Sequence, residues 1–226
     1  MQSLGLPRVL SSRLPSYGRP AETLIGAVDL KIISWNLLHT SGASVEQVEL
    51  LIAHHRPDLV LMQEATSSID TLSTRIGGYY ARIALPGRKH GLAAWSRQPF
   101  QSPVTSLPLQ RGMIVKRLAQ ILKLHEFTVA NVHLSHGQFL NRFQLRQISN
   151  ALPNRAAILG DCNLIGSPML RDFDDVGPRQ PTHRSANIIP LRLDRCFIKG
   201  LRCISSEVLN GSASDHKPIM VELANL

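Results

Sequence analysis

The sequence predicts an α/β fold with more sheet than helix. Two observations predict it. Near the start, a strand-like apolar run, an amphipathic helical run and a second apolar run follow one another, which opens an α/β arrangement. Beyond them, short apolar runs rich in β-formers recur to the end of the chain, with one more helical stretch among them. At 226 residues the chain can bury one large core, and one domain is favoured over two.

Leu30–Leu37 (LKIISWNL) is mostly apolar, carries β-formers and reads as a strand. Val45–His55 places Val45, Val48, Leu51 and Ile52 on one helical face, with Thr40, Ser41 and Ser44 as N-cap candidates. Pro57 ends that helix. Asp58–Gln63 (DLVLMQ) is a short apolar run, consistent with a buried strand. Further strands are expected at Tyr79–Ala84, Leu92–Ser96, Ile114–Leu124 and Phe127–Leu134. Phe139–Asn150 has helical spacing through Leu140, Phe143, Leu145 and Ile148. Ala156–Leu159 is a short buried strand before Gly160. Ser167–Pro190, with its Pro, Gly, Asp and Arg, reads as a long loop, and long loops beside site residues often bind substrate. Leu193–Ile198, Cys203–Leu209 and Ile219–Leu223 close the chain as strands.

Hydrophobic residues make up 43% of the chain and charged residues 18%, which reads as a soluble globular protein. No stretch is long and apolar enough to span a bilayer, and no segment has the features of a secretory signal. A cytoplasmic location is expected. Residues 1–28 differ in composition from the domain expected at 29–226: they are rich in Ser, Arg, Pro and Gly, with no acid before Glu22. They read as a flexible arm. The other reading is an organelle transit peptide, although Pro7, Pro15 and Pro20 would interrupt an amphipathic helix. Cys162, Cys196 and Cys203 have no zinc-type spacing and read as buried apolar side chains in a reducing compartment. The net charge of +9 favours a polyanionic partner such as nucleic acid or an anionic membrane.

Polar residues stand at the ends of the apolar runs. Asn36 follows ISW, Glu64 follows DLVLMQ, His133 follows VANV, and Asp161 and Asn163 follow AAILG. Asp194 lies in LRLDRCF, and Asp215 and His216 precede the last strand. Polar groups at the mouths of buried strands are a common way for an α/β scaffold to present a site. Each also has an ordinary structural reading. Asn36, Asp161 and Asn163 could be turn residues. Glu64 could be a helix-start acid, and His133 a satisfied core histidine. Asp194 could be a surface acid paired with a neighbouring Arg, and Asp215 an N-cap.

Taken together and in order, the segments SWNLL, DLVLMQEA, HGLAAWSR, VANVHLSH, AAILGDCN, LRLDRCFI and SDHKPIMVEL resemble those of the endonuclease/exonuclease/phosphatase superfamily. The strongest are Gln63–Glu64, Gly160–Asn163 and Ser214–His216, and the resemblance covers roughly residues 30–226. It implies a deoxyribonuclease I-like fold, a four-layer α/β/β/α sandwich of two mixed β-sheets flanked by helices. It also implies a Mg²⁺ ion, replaceable by Mn²⁺. A hard cation with oxygen ligands offsets the charge of a phosphodiester, which otherwise repels nucleophiles.

Glu64 is the best expected metal ligand, Asn36 would assist at the metal or hold a phosphate oxygen, and Asp215 could reach the metal or a second ion. The resemblance implies the remaining roles. Asp161 would orient and deprotonate the attacking water, and Asn163 would hold that water or a phosphoryl oxygen. Asp194 would pair with His216, which stabilises the transition state, and His133 would assist the leaving oxygen. Which group is base and which is acid stays open. Arg117 has two readings, a bidentate phosphate contact or a solvated strand charge. Arg88, Lys89 and His90 could touch substrate or form a solvated loop, and Arg179, Thr182, His183 and Arg184 lie in the long loop.

The chain is short for the superfamily. It lacks the paired cysteines of secreted deoxyribonuclease I and any clear equivalent of the AP endonuclease tyrosine. His133 is similar to the deoxyribonuclease and bacterial phosphodiesterase branches, and the PTHRS segment at Pro181–Ser185 resembles a loop of small bacterial members. The favoured function is a nuclease on DNA or RNA, because of the charge. The alternatives are a phosphatase or phospholipase-type phosphodiesterase on a small or lipid ester, and a non-catalytic binding module. A lipid enzyme would be expected to show an exposed apolar hairpin, and none stands out. A monomer is expected.

Overall fold

The computed structural model describes residues 29–112, 115–185, 189–211 and 213–226. The arm expected at 1–28 lies outside the described residues. So does the start of the strand expected at Ile114–Leu124. In chain order the first half holds β1 (Leu30–Asn36), α1 (Val45–His55), β2 (Leu59–Ala65), a 3-10 turn at Ser67–Thr71, α2 (Leu72–Ile76), β3 (Tyr79–Ala84), β4 (Gly91–Ser96) and β5 (Thr105–Pro108). There follow β6 (Leu118–Lys123), β7 (Thr128–His133), α3 (Gln138–Ala151), β8 (Ala156–Asp161), β9 (Asp174–Asp175), β10 (His183–Ser185), β11 (Ile189–Leu191), β12 (Asp194–Lys199), β13 (Leu201–Val208) and β14 (Ile219–Asn225).

Two six-stranded sheets form, with orders β13-β14-β1-β2-β4-β3 and β5-β6-β7-β8-β12-β9. Both are mixed. β1 runs parallel to β2, β7 runs parallel to β8, and the other pairs in these sheets are antiparallel. Strand alternation sorts the side chains into layers. Ile32, Leu59, Leu61, Val129, Ala157, Leu159 and Val221 share the core between the sheets. Their neighbours Ile33, Val60 and Met62 face outward and are covered by Val48, Leu51 and Ile52 of α1. On the other side Ala130, Val132, Ala156 and Ile158 are covered by Leu145 and Ile148 of α3. This is the four-layer sandwich that the resemblance implies.

Of the three N-cap candidates, Ser44 caps α1. Its hydroxyl accepts from Gln47 N and the Gln47 side chain accepts from Ser44 N, a capping box. The helix closes at Arg56, in the left-handed region at φ 50°, one residue before Pro57. On α3 the buried face differs from the expected stripe. Leu145 and Ile148 are buried as expected, but Phe143 is 56% exposed and Phe139 94% exposed. Asn141 and Gln144 take the inward positions instead. Asn141 Nδ2 donates to Asn163 O at 2.7 Å and Gln144 Oε1 accepts from Ser135 N at 3.0 Å, while Asn141 Oδ1 is buried without a partner.

The segment expected as one long loop holds β9 and the antiparallel β10–β11 pair. These strands of two or three residues are too short to carry a periodic signal. The segment is pinned by Asp175, which takes Arg192 on both carboxylate oxygens at 2.8 and 2.6 Å and Arg195 at 2.8 Å. Asp194 therefore has no neighbouring arginine as its partner: the arginines beside it serve Asp175. No helix among the described residues is long and apolar enough to cross a membrane.

Candidate active site

The inward rows of the two sheets end at one place. Ile32, Ser34 and Asn36 are successive inward residues of β1, and Leu59, Leu61 and Gln63 those of β2. Val129, Asn131 and His133 continue the pattern on β7, and Ala157, Leu159 and Asp161 on β8. Each row changes from apolar to polar as it nears the same edge. The middle rung is a buried network. Gln63 Nε2 donates to Ser34 Oγ at 3.0 Å and to Asn131 Oδ1 at 2.8 Å, and Asn131 Nδ2 donates to Gln120 Oε1 at 2.9 Å. Above it stand Asn36, His133 and Asp161.

Alternation would aim Glu64 outward. Its backbone instead adopts φ 57°, and the β2–β4 register shifts between Gln63 and Ala65. This bulge brings the carboxylate into the cleft. Left-handed backbone at a residue with a Cβ costs on the order of 1–3 kcal/mol and persists where the surroundings impose it. Asp161 has a matching device. It follows Gly160, at φ 143°, where a Cβ would lie 2.0 Å from Val132 O. Glycine lets β8 approach β7 here.

Asp161 is the hub. Its Oδ2 accepts from Asn36 Nδ2 at 3.0 Å and lies 3.4 Å from His133 Nε2 and 3.7 Å from His216 Nε2. Its Oδ1 accepts from Asn163 N at 2.9 Å. Asn163, at φ 48°, is held by its own Nδ2 on Leu134 O and by Gln138 and Asn141 on its carbonyl. His216 Nδ1 lies 2.8 Å from Asp194 Oδ2, and Asp194 is fully buried. The Asp194 backbone is fixed by Thr182, whose hydroxyl accepts from Leu193 N and Asp194 N.

The charges follow from this packing. Burial pushes the Asp161 carboxyl above its ordinary range, and the His216 charge with the Asn163 and Asn36 hydrogen bonds offsets part of that rise. Burial also works against a charge on His216, but the carboxylate of Asp194 and its hydrogen bond outweigh it and push the imidazole up to about 10. His133 goes the other way. Burial, then the charge of Arg117 and of nearby histidines, holds it well below the usual histidine range. Burial would raise Glu64, yet hydrogen bonds from the His39 side chain and backbone outweigh that and keep it below its ordinary value.

Asn36, Glu64, His133, Asp161, Asn163, Asp215 and His216 line one cleft of about 320 Å³. Asp194 lies beneath it. Arg117 is 7% exposed and its Nε has no hydrogen-bond partner, so it is not a solvated strand charge. It is not among the residues lining the cleft, although its charge is felt at His133.

Histidines outside the expected set also stand here. His39 holds Glu64 through Nδ1 and through its backbone N–H at 3.0 Å, and its ring stacks on His90 at 3.9 Å. His136 and His183 line the cleft, and His183 Nε2 lies 3.4 Å from Asp215 Oδ2. The only sequence signal for His39 was its place three residues after Asn36. That for His183 was the PTHRS segment.

The donor set suits a hard divalent cation. Glu64 is kept ionised, and the Asn36 amide and the half-exposed Asp215 carboxylate add oxygens to the same cleft. Two triplets of ligating side chains lie within 4.8 Å of one another among the described residues: Asp161, Asp194 and His216, and His183, Asp215 and His216. Glu64 belongs to neither.

The sequence model of the Endonuclease/Exonuclease/phosphatase family matches residues 33–216. No curated protein sequence matches the chain significantly. Several solved structures share its fold. An endonuclease/exonuclease/phosphatase from Bacteroides vulgatus superposes with a TM-score of 0.75 at 16% identity, covering 88% of this chain and 100% of that one. D. rerio TDP2 complexed with single strand DNA product gives 0.70 at 15% identity, covering 86% and 98%. An endonuclease/exonuclease/phosphatase from Beutenbergia cavernae gives 0.67 at 18% identity, covering 87% and 72%.

Proposed function

The chain belongs to the endonuclease/exonuclease/phosphatase family, and we propose from that premise that it hydrolyses phosphodiesters of nucleic acid with an activated water and a divalent cation. The observation that carries the proposal is the convergence of Asn36, His133 and His216 on one oxygen of the buried Asp161 carboxylate. An isolated buried carboxylate is costly. One ringed by donors, with raised basicity and open to a cleft, suits a general base.

Glu64, Asn36 and Asp215 would hold the cation, Mg²⁺ or Mn²⁺. When bound, it supplies positive charge and polarises a phosphoryl oxygen. The protein's own groups do the rest. Asp161 takes the proton from water as the oxygen adds to phosphorus. Asn163 orients that water or a phosphoryl oxygen. His216, charged through Asp194, donates from Nε2 to the phosphoryl oxygens, whose negative charge grows in the pentavalent transition state. His133 is neutral and steers the leaving oxygen by hydrogen bonding. The bond from phosphorus to that oxygen breaks, and it leaves with a proton from solvent. Arg117 adds long-range positive charge behind His133.

The choice of nucleic acid rests on the net charge of +9. A structural relative, D. rerio TDP2, also holds a single-stranded DNA product. The test is incubation with supercoiled plasmid, single-stranded DNA, RNA, bis-(p-nitrophenyl) phosphate and p-nitrophenyl phosphate, with Mg²⁺ or EDTA, beside Glu64→Gln. Metal-dependent cleavage of a polymer, lost in the variant, is the expected result. Turnover of p-nitrophenyl phosphate alone would replace the nuclease reading with a phosphatase. Silence on every substrate would favour a binding module.

A further inference from the structure

A second and larger cavity, of about 720 Å³, adjoins the cleft and shares His183 and Asp215 with it. Its size falls in the usual range of small-molecule sites. Its lining includes the apolar side chains of Pro181, Pro190 and Val208. Asp215 and Lys217 also line it. Asp215 is engaged by His183 Nε2 at 3.4 Å. The ion pairs of the described residues leave Lys217 out.

The wall is firmly built. Thr182 is fully buried, and its carbonyl accepts from Lys217 N at 2.7 Å. Thr182 N donates to Leu191 O at 2.9 Å, and His183 bridges His216 in an antiparallel β-pair. The rings of His183 and His216 lie 4.4 Å apart. The backbone of Lys217, next in sequence to His216, is thereby fixed to Thr182 in the wall that the two spaces share. A phosphate held at Lys217 and a phosphate beside His216 would occupy adjoining spaces. Apolar lining together with a cation outside the ion pairs of the described residues fits a nucleotide: the base or sugar covers the prolines and Val208, and the phosphate meets the ammonium.

We propose that this cavity is a subsite for the nucleotide next to the scissile phosphate, with Lys217 holding that nucleotide's own phosphate. The proposal rests on the nuclease reading above. It makes the enzyme prefer a strand with a neighbouring phosphate over a simple diester.

The test compares wild type with Lys217→Ala on two substrates. One is a labelled tetrathymidylate. The other is bis-(p-nitrophenyl) phosphate, which has no neighbouring phosphate. The variant is expected to lose about tenfold in kcat/KM on the oligonucleotide and nothing on the simple diester. A tetrathymidylate with neutral methylphosphonate at the neighbouring linkage should lose the same factor with wild type, and no further factor with Lys217→Ala. Equal loss on both substrates, or loss on neither, overturns the subsite. Should wild type cleave neither substrate, the nuclease reading is what fails. The subsite is then judged by fluorescence anisotropy of the tetrathymidylate on Glu64→Gln and on Glu64→Gln/Lys217→Ala. Weaker binding by the double variant supports the subsite, and equal affinities remove it.

Discussion

Asp194 reaches His216 Nδ1 at 2.8 Å from a fully buried position on β12, and this pair sets the charge at the floor of the cleft. The other oxygen of Asp194, Oδ1, is buried without a hydrogen-bond partner. Its compensation therefore comes chiefly through the imidazole. Asp194→Asn keeps the shape and removes the charge that favours the imidazolium. The expected result is a fall in kcat of at least about a hundredfold with little change in KM. A histidine-selective NMR titration should show His216 ionising at lower pH than in wild type. Unchanged kcat would remove the pair from the reaction.

The polar rung beneath the site predicts a coupled loss. In Asn131→Leu, Gln120 Oε1 loses the donor it has from Asn131, and Gln63 Nε2 keeps only Ser34. Each buried group left unsatisfied costs about 1–3 kcal/mol. Because Gln63 precedes Glu64 and Asn131 lies two residues before His133, activity should fall along with the midpoint of urea unfolding. Gln63→Leu/Asn131→Leu should be less destabilised than the sum of the single variants, since the two side chains are hydrogen-bonded to each other. Additive losses would show two independent sites.

Asp175 predicts how stability depends on acid. Burial raises its carboxyl, but the hydrogen bonds and charges of Arg192 and Arg195 outweigh it and hold the folded value below 3.8. A carboxyl depressed by folding contributes stability that is fully present above its unfolded value. That contribution fades as pH falls below about 3.8 and is gone below the folded value. Asp175→Asn should therefore be less stable than wild type at neutral pH, with the gap narrowing in strong acid. A gap that does not change with pH would mean that the carboxylate's charge is irrelevant. Breaking this pair also leaves Arg195, 4% exposed, without its carboxylate, so the neutral-pH loss should reach about 3–5 kcal/mol.

How much of this was legible in the sequence depends on what makes each feature. The strands β1, β2, β7 and β8 were readable because burial on both faces makes them continuous apolar runs. α1 was readable because its periodic stripe and Ser44 cap agree. The four-layer stacking came through the family resemblance, since alternation within a strand does not say which sheet covers which face. Asn36, Glu64, Asp161 and His216 were visible as polar ends to apolar runs. The turn of Glu64 into the cleft was not, because a bulge depends on pairing with β4 rather than on local composition. His39 and His183 reach the site through tertiary contacts, and only the spacing from Asn36 and the PTHRS segment mark them in the sequence. β9, β10 and β11 are too short for periodicity. The buried faces of Asn141 and Gln144 were hidden because propensity treats amides as surface residues, whereas here Asn141 Nδ2 and both ends of the Gln144 amide find hydrogen-bond partners.

That last difference yields a direct test on α3. A stripe through Leu140, Phe143, Leu145 and Ile148 would make Phe143 a core residue. The structure leaves it 56% exposed and Phe139 94% exposed, and buries Leu145 completely. Leu145 packs in the cluster that covers the outer face of the second sheet. Leu145→Ala should therefore cost about 2–5 kcal/mol through lost burial and the cavity left behind. Phe139→Ala should stay within about 0.5 kcal/mol of wild type, because a side chain already in water has little burial to lose. Phe143→Ala should fall between them. Urea unfolding of the three variants ranks the positions. A Phe143→Ala loss as large as that of Leu145→Ala would return the helix to the orientation given by its hydrophobic pattern, and with it displace Asn141 from the Asn163 carbonyl that it holds beside Asp161.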